Sequence, residues 1–213
     1  MPSRVPADKL RKGRVRRSPA DRRAEILDAA TRLALGRGLD HVTLRSIAEE
    51  LGVAGSLVSH YFPAVDELLA EVFGGAARAE LDQVFGQVEQ LDSARDQLAG
   101  FLQRLTDSER DAISALWMDA WHAGRRRPAL ADEVSRQTSL WTERLAALVQ
   151  RGRAAGEFDT TDPRATAARI MAVVDGLTVQ ASLRDTIDYE SVEQLVFQVA
   201  EREVGLPPGS LDH

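Results

Sequence analysis

Residues 43–62, TLRSIAEELGVAGSLVSHYF, constrain the fold more than any other stretch of this sequence. Apolar residues after Thr43 recur at intervals of three and four, which predicts a short helix with Thr43 as its cap. Gly52 ends that helix, and a second short helix follows with Leu57 and Val58 on its apolar side. Two helices joined by a glycine turn within about 20 residues are typical of a helix-turn-helix, whose second helix enters the major groove of DNA.

The outer face of the second helix favours DNA binding over an ordinary helical hairpin. It carries small or hydrogen-bonding residues, whereas a purely structural surface helix more often carries Glu and Lys. We therefore predict that this face reads DNA and that basic residues before the first helix add contacts. The predicted DNA-binding residues are Arg16, Arg17, Thr43, Leu44, Arg45, Gly55, Ser56, Ser59, His60 and Tyr61.

Residues 20–69 resemble the DNA-binding motif of the TetR family of bacterial regulators, and GSLVSHYF is similar to its choline-responsive BetI branch. A weaker similarity covers the segments LWMDAWHAGRRRPAL and LVQRGRAAGEFDTTDPRATAARIMAVVDGL. The resemblance implies a cytoplasmic transcription repressor that binds a near-palindromic double-stranded DNA operator as a homodimer. It also implies release by a small-molecule effector bound in the carboxy-terminal domain.

Two positions depart from the family pattern. Ala54 stands where the family usually has Ser, so the second motif helix lacks a side-chain cap worth about 1 kcal/mol. Val65 stands where the family usually has a Lys that contacts a DNA phosphate. Because of these departures, a helical ligand-binding or scaffold protein without operator binding stays open as the alternative.

Positive charge is concentrated at the amino-terminal end. Residues 1–62 hold 12 Lys and Arg against 7 Asp and Glu, whereas the remaining residues hold 15 against 26. Residues 1–17 contain seven of those basic residues and little apolar content, so we predict a basic disordered arm. The arm is either a solvated tail or a DNA contact, and the vacant phosphate contact at Val65 favours the second.

Other classes of protein find little support in the composition. The sequence of 213 residues has no cysteine, which excludes disulfides and thiolate metal sites, and it has no apolar run long enough to span a membrane. Its basic first residues lack the apolar segment of a signal peptide. The four histidines are scattered without metal-binding spacing, so we expect no enzyme, no metal and no cofactor.

Helical spacing continues to the carboxy-terminal end and predicts an all-α fold with about nine helices. Predicted helix starts include Ser18 with Pro19, Ser93 with Asp96, Ser108, Asp162 with Pro163, and Asp188. The predicted domains are the arm at 1–17, a helix-turn-helix domain at 18–63, a helical ligand-binding and dimerisation domain at 64–206, and a tail at 207–213.

The eighth helix is apolar on most of its circumference, which indicates burial on more than one side. Gly176 in its middle indicates a close backbone approach. The pattern fits either a central core helix of a monomer or a homodimer interface, and the family resemblance favours the interface. The predicted interface residues are Ile170, Val174, Gly176, Leu177, Val192, Leu195, Val196 and Val199.

All three tryptophans lie in the middle of the second domain, two of them four residues apart on one helix face. They are either plain core or the wall of a ligand cavity, and the resemblance implies a cavity. Indole faces beside Asp119 or Asp175 could hold a quaternary ammonium cation. The predicted ligand-binding residues are Phe101, Leu105, Trp117, Met118, Trp121, His122, Trp141, Met171 and Asp175.

Overall fold

The computed structural model describes residues 18–181 and 189–211. The predicted arm, with Arg16 and Arg17, and the predicted helix start at Asp188 lie outside this range. The described residues contain nine α-helices and no strand, which confirms the all-α prediction. The helices are α1 Pro19–Arg37, α2 Leu44–Leu51, α3 Gly55–Tyr61, α4 Val65–Val88, α5 Ala94–Thr106, α6 Asp111–Gly124, α7 Pro128–Ala154, α8 Pro163–Ala181 and α9 Tyr189–Glu203.

Local capping interactions set the helix starts where the sequence predicts them. The Ser18 hydroxyl accepts a hydrogen bond from the Asp21 amide at 3.0 Å, and the Asp21 carboxylate accepts one from the Ser18 amide at 3.2 Å. Ser93 caps α5 through the Asp96 amide in the same way. The prediction that Ser108 begins a helix is wrong by three residues. A 3₁₀ turn, Ser108–Arg110, comes first, because the Asp107 carboxylate caps it through the Glu109 amide at 2.8 Å.

Helix α4 joins the amino-terminal three-helix head to the larger helical domain. It runs without a break for 24 residues, about 36 Å, so its first turn lies beside the head and its last turns lie in the core. An ion pair between Arg23 of α1 and Glu71 of α4 stabilises the packing of the head against α4. The head therefore moves with α4 rather than on a flexible linker.

Helix α7 is the centre of the larger domain and packs against α4, α5, α6 and α8. Its buried Trp141 lies 6.1 Å from the Phe85 ring and 6.2 Å from the Phe101 ring, measured between ring centroids. Phe101 also lies 5.3 Å from Phe85. Aromatic packing of this kind fixes α4, α5 and α7 against one another.

The part of the predicted tail that the structure describes, residues 207–211, packs against the larger domain. Leu211 is fully buried, and its amide donates to the buried Glu201 carboxylate at 2.8 Å. The Arg95 guanidinium donates to the Ser210 carbonyl at 2.7 Å. These bonds extend the packed domain beyond residue 206, where the sequence places its end.

Helices α8 and α9 bury half of the residues predicted for the dimer interface within the protomer itself. Ile170, Val174, Leu177 and Val196 are at most 2 % exposed in the isolated chain, so their side chains pack in the protomer's core. The interface itself stays a prediction. Gly176 and Leu195 are exposed, and Val192 and Val199 are half-buried. No helix in the described part of the chain is both long and apolar enough to cross a membrane.

Candidate functional site

The helix-turn-helix leaves one face of α3 open to solvent. Val58 of α3 is fully buried and anchors the helix, while Gly55, Ser56 and His60 are exposed. The Tyr61 ring is half-buried and meets the His60 ring edge-on, with 5.3 Å between centroids. Helix α3 begins at Ala54 without a side-chain cap, as the sequence indicates.

The turn before α3 fixes the direction in which this face points. Gly52 adopts the left-handed conformation at φ +62°, which glycine takes without strain. The Val53 amide then donates back to the Ala48 carbonyl at 3.0 Å. Arg23 lies over the ring of the buried Phe62, 4.7 Å from its centroid, and fixes the other end of α3.

Three of the remaining predicted DNA contacts lie at the start of α2, and Ser59 lies on α3. Thr43 caps this helix in a reciprocal pair with Ser46, and its exposed side chain lies at the rim of the head. Arg45 is exposed and pairs with Glu49 at 2.8 Å. Leu44 and Ser59 are half-buried, and the Ser59 hydroxyl donates to the Ser56 carbonyl at 3.2 Å.

A hydrogen bond connects the larger domain to the head next to this rim. The Asp119 carboxylate on α6 accepts from the buried Leu39 amide at 2.8 Å, so Asp119 does not face the predicted cavity. Leu39 opens the 3₁₀ turn Leu39–His41. Gly38 precedes it at φ +93°, and a Cβ atom there would lie 3.0 Å from the Asp119 carboxylate. A side chain at this position would be strained, because L residues rarely adopt such a φ.

The same turn is bonded to the start of α2. The Ser46 hydroxyl donates to the His41 carbonyl at 2.7 Å and accepts from the Thr43 amide at 2.9 Å. A continuous set of hydrogen bonds therefore runs from Asp119 through the turn to the beginning of the helix-turn-helix.

The other side of α6 borders a narrow, partly open cavity between α6, α7 and α8. The cavity offers about 20 Å³ to the centre of a water molecule, which is room for about one water. Six of the nine predicted ligand-binding residues line it. The lining residues are Leu105, Arg110, Trp117, Trp121, Thr138, Trp141, Met171, Val174, Asp175 and Thr178.

Three predicted residues lie elsewhere. Phe101 is fully buried in the aromatic cluster with Phe85 and Trp141 and does not line the cavity. Met118 is half-buried on α6 and does not line the cavity. His122 is exposed and lines a separate depression. A step of one residue along α6 turns a side chain by about 100°, which carries Met118 and His122 away from the face of Trp117 and Trp121.

Charged groups meet at the cavity wall. Arg110 pairs with Glu80 of α4 at 2.5 Å, and the Trp117 indole N–H donates to the same carboxylate at 3.1 Å. Burial raises the pKa of the Asp175 carboxyl to about 6, and the positive charge of Arg110 opposes that shift.

One polar atom of a residue that lines the cavity has no hydrogen-bond partner among the described residues. The buried Trp141 indole N–H has no acceptor. A donor left in this way costs free energy unless a water or a ligand oxygen accepts from it.

Two family sequence models match this chain. Residues 26–72 match the tetR family of bacterial regulatory proteins, and residues 94–205 match the carboxy-terminal domain of BetI-type transcriptional repressors. The second match alone covers more than half of the chain. The chain belongs to the TetR family.

Individual relatives agree with this assignment. The HTH-type transcriptional regulator BetI of Agrobacterium fabrum is 27 % identical over 167 residues, which cover 76 % of this chain and 78 % of BetI. The structure of a proposed TetR-family regulator from Rhodococcus sp. is 26 % identical, with a TM-score of 0.68 and coverage of 87 % and 99 %. A proposed regulator from Saccharomonospora viridis, solved in complex with choline, shares the fold at 23 % identity and a TM-score of 0.71, with coverage of 85 % and 96 %.

The family assignment gives the two parts of the chain their general roles. The head is a DNA-binding helix-turn-helix domain, and the larger domain is the effector-binding domain of a transcriptional regulator. This favours a DNA-binding regulator over the alternative of a helical scaffold that has lost operator binding. The members of the family are regulators rather than enzymes.

His60 should carry sequence information, because its side chain is exposed on α3. We expect His60→Ala to weaken binding to a selected operator by about 1–3 kcal/mol and binding to an unrelated duplex much less. Fluorescence anisotropy on both duplexes at one salt concentration measures the two losses. Arg45→Ala is the contrasting variant and should weaken both by a similar factor. Equal losses for His60→Ala would make His60 a positioning contact only.

Proposed function

We propose that this chain is a cytoplasmic repressor that binds a near-palindromic operator as a homodimer and is released by a small organic cation. The observation that carries this proposal is the position of α6. One of its faces supplies Trp117 and Trp121 to the narrow cavity, and another bonds to the head through Asp119. A molecule in the cavity therefore presses on the helix that positions the head.

The exposed residues of α8 and α9 support the homodimer. Ala172 and Gly176 lie one turn apart on the open side of α8, with Val179 next along that side at 47 % exposure. Leu195 of α9 is 48 % exposed. A Cβ atom at Gly176 would meet nothing within 4 Å in the protomer, so no internal packing requires a glycine there. A second helix approaching closely would require one.

A homodimer paired two-fold through this face would bind an operator that has matching two-fold symmetry. Two heads related by such an axis contact equivalent half-sites about 34–36 Å apart, one helical turn of DNA. A single head has half of the contacts and binds far more weakly.

The electrostatics of the cavity support a cationic effector. Indole faces attract cations, and Asp175 contributes a negative charge that Arg110, already paired with Glu80, does not fully offset. An effector with an oxygen acceptor would also satisfy the Trp141 N–H. Choline has this chemistry. The choline-bound structure from Saccharomonospora viridis supports only the shared fold, so the case for a cation depends on these side chains.

The small size of the cavity supports coupling between effector and head. A quaternary ammonium is larger than the water-sized space present, so binding requires Trp117 and Trp121 to move, and α6 with them. The bond between Asp119 and the Leu39 amide then shifts the turn that precedes α2. Such a displacement changes the separation of the two heads in the dimer and weakens operator binding.

Gly176→Leu tests the homodimer. The larger side chain should force the partner helix away, because close-packed interfaces tolerate little added volume. We expect a folded monomer by light scattering and circular dichroism, with operator affinity at least about tenfold lower and steeply dependent on protein concentration. Gly86→Leu is the control, since Gly86 is also exposed, on α4, with open space around it. A Gly176→Leu dimer with unchanged operator affinity would contradict the proposed interface.

Asp175 should make effector binding depend on pH. The cation binds the ionised carboxylate, so affinity is constant above about pH 7 and falls as the carboxyl becomes protonated below 6. Between pH 7.5 and pH 5 we expect about a tenfold loss in choline affinity by tryptophan fluorescence. Asp175→Asn should bind choline more weakly at neutral pH and show a flat profile, and a wild-type profile in that variant would contradict the assignment.

Asp119 should transmit effector binding to the head. Allosteric effectors typically change affinity by about 5- to 150-fold. We expect Asp119→Ala to bind choline with the affinity of the wild type. Its operator Kd with choline, divided by its operator Kd without choline, should lie within about twofold of one. Asp119→Asn keeps an acceptor oxygen and should retain most of the ratio.

Asp40→Ala is the matched control for Asp119→Ala, because it removes a carboxylate from the same junction without removing the bond to Leu39. A normal ratio in Asp119→Ala would contradict its role. Absence of choline binding to the wild type would instead contradict the effector class.

A further inference from the structure

The surface expected to face DNA is short of positive charge. Residues 43–66 hold one arginine, Arg45, against Glu49, Glu50 and Asp66. Arg45 already pairs with Glu49. Binding to the phosphate backbone depends on cations that replace condensed counterions, so basic groups must come from outside this stretch.

Three consecutive arginines, 125–127, form the corner between α6 and α7. The Arg126 amide donates to the Ala123 carbonyl at 3.0 Å, and the Arg127 amide donates to the Gly124 carbonyl at 3.2 Å. Arg125 and Arg126 are exposed, and within the described residues neither side chain makes a hydrogen bond or an ion pair. The corner therefore presents two uncommitted guanidinium groups on a rigid backbone.

This corner adjoins the head at two points. Arg127 pairs with Asp66 in the first turn of α4, a few residues after α3 ends. Arg126 and Arg127 also line an open depression of about 290 Å³ together with Asp40, which lies in the turn just before Thr43. Arg126 and Arg127 are thus beside both the entry to α2 and the exit from α3, and Arg125 adjoins them at the same corner.

We infer that Arg125 and Arg126 bind the phosphate backbone of DNA, as a sequence-independent contact made by the effector domain. Guanidinium groups suit this role, because they are always charged and can bind phosphate through two hydrogen bonds. The contact would act alongside the predicted basic arm, residues 1–17, as a second source of positive charge near the phosphate contact that is missing at Val65. Because the corner ends α6, displacement of α6 by an effector would also withdraw these contacts. The inference depends on the proposed DNA binding.

The salt dependence of binding to a non-specific duplex tests this without knowledge of the operator. We expect the double variant Arg125→Ala/Arg126→Ala to bind a generic 30-base-pair duplex about tenfold more weakly at low salt. The slope of log K against log salt should fall in magnitude by about 0.9 for each phosphate that the variant no longer neutralises. Arg125→Lys/Arg126→Lys keeps both charges and should retain most of the slope.

A charge-matched control lies near the other end of α7. Arg153→Ala/Arg164→Ala removes the same charge from two exposed residues, the first of them about 37 Å along that helix, and should leave the slope unchanged. An unchanged slope in the Arg125/Arg126 variant, with wild-type mass and helicity, would overturn the inference. Equal losses in both double variants would also overturn it, since net charge alone would explain them. A wild type that binds no DNA at low salt would instead contradict the proposed function.

Discussion

The hydrogen bond from the Leu39 amide to Asp119 is the contact on which the relation between the two domains depends. It is 2.8 Å long and lies where α6 meets the turn before α2, beside Gly38, whose φ of +93° favours glycine. Helix α4 makes the head continuous with the core, and the ion pair between Arg23 and Glu71 holds the head against that helix. The bond to α6 adds an attachment to a second helix of the larger domain. Its removal leaves the Leu39 amide buried without a partner, which costs about 1–3 kcal/mol, so any displacement of α6 is opposed until the head follows.

Interactions between near neighbours in sequence were predictable, and those between distant residues were not. Ser18 with Asp21, Thr43 with its helix, and Gly52 at its end each act within three or four residues, where backbone geometry fixes the outcome. Asp119 is the contrary case: the sequence allows it to face the cavity, and only the packing of α6 on the head directs it to Leu39, 80 residues away. Arg110 was missed for the same reason, since its partner Glu80 lies on another helix. Thr178 could have been found, because it follows Met171 and Asp175 at helical spacing on one face of α8.

The proposed dimer interface shows a limit of periodicity. A helix that is apolar on most of its circumference must be buried on several sides, but the pattern does not say which side faces the protomer and which faces a partner. In α8 the larger residues, Ile170, Val174 and Leu177, fill the protomer's core, and the small Ala172 and Gly176 remain outside. The division has a physical reason. Large side chains gain most from complete burial, whereas small ones allow a second helix backbone to approach closely.

The tightness of the cavity bears on the proposed regulation. With room for about one water, the cavity cannot hold an organic cation without movement of Trp117 and Trp121. Under the proposed function, operator binding stabilises this position of α6. DNA then lowers the affinity for the effector by the same factor by which the effector lowers the affinity for DNA. In the same proposal the cation has to reach Asp175 beside the ion pair between Arg110 and Glu80. Part of its binding energy would therefore be consumed in opening the cavity, and that opening would be the movement that displaces the head.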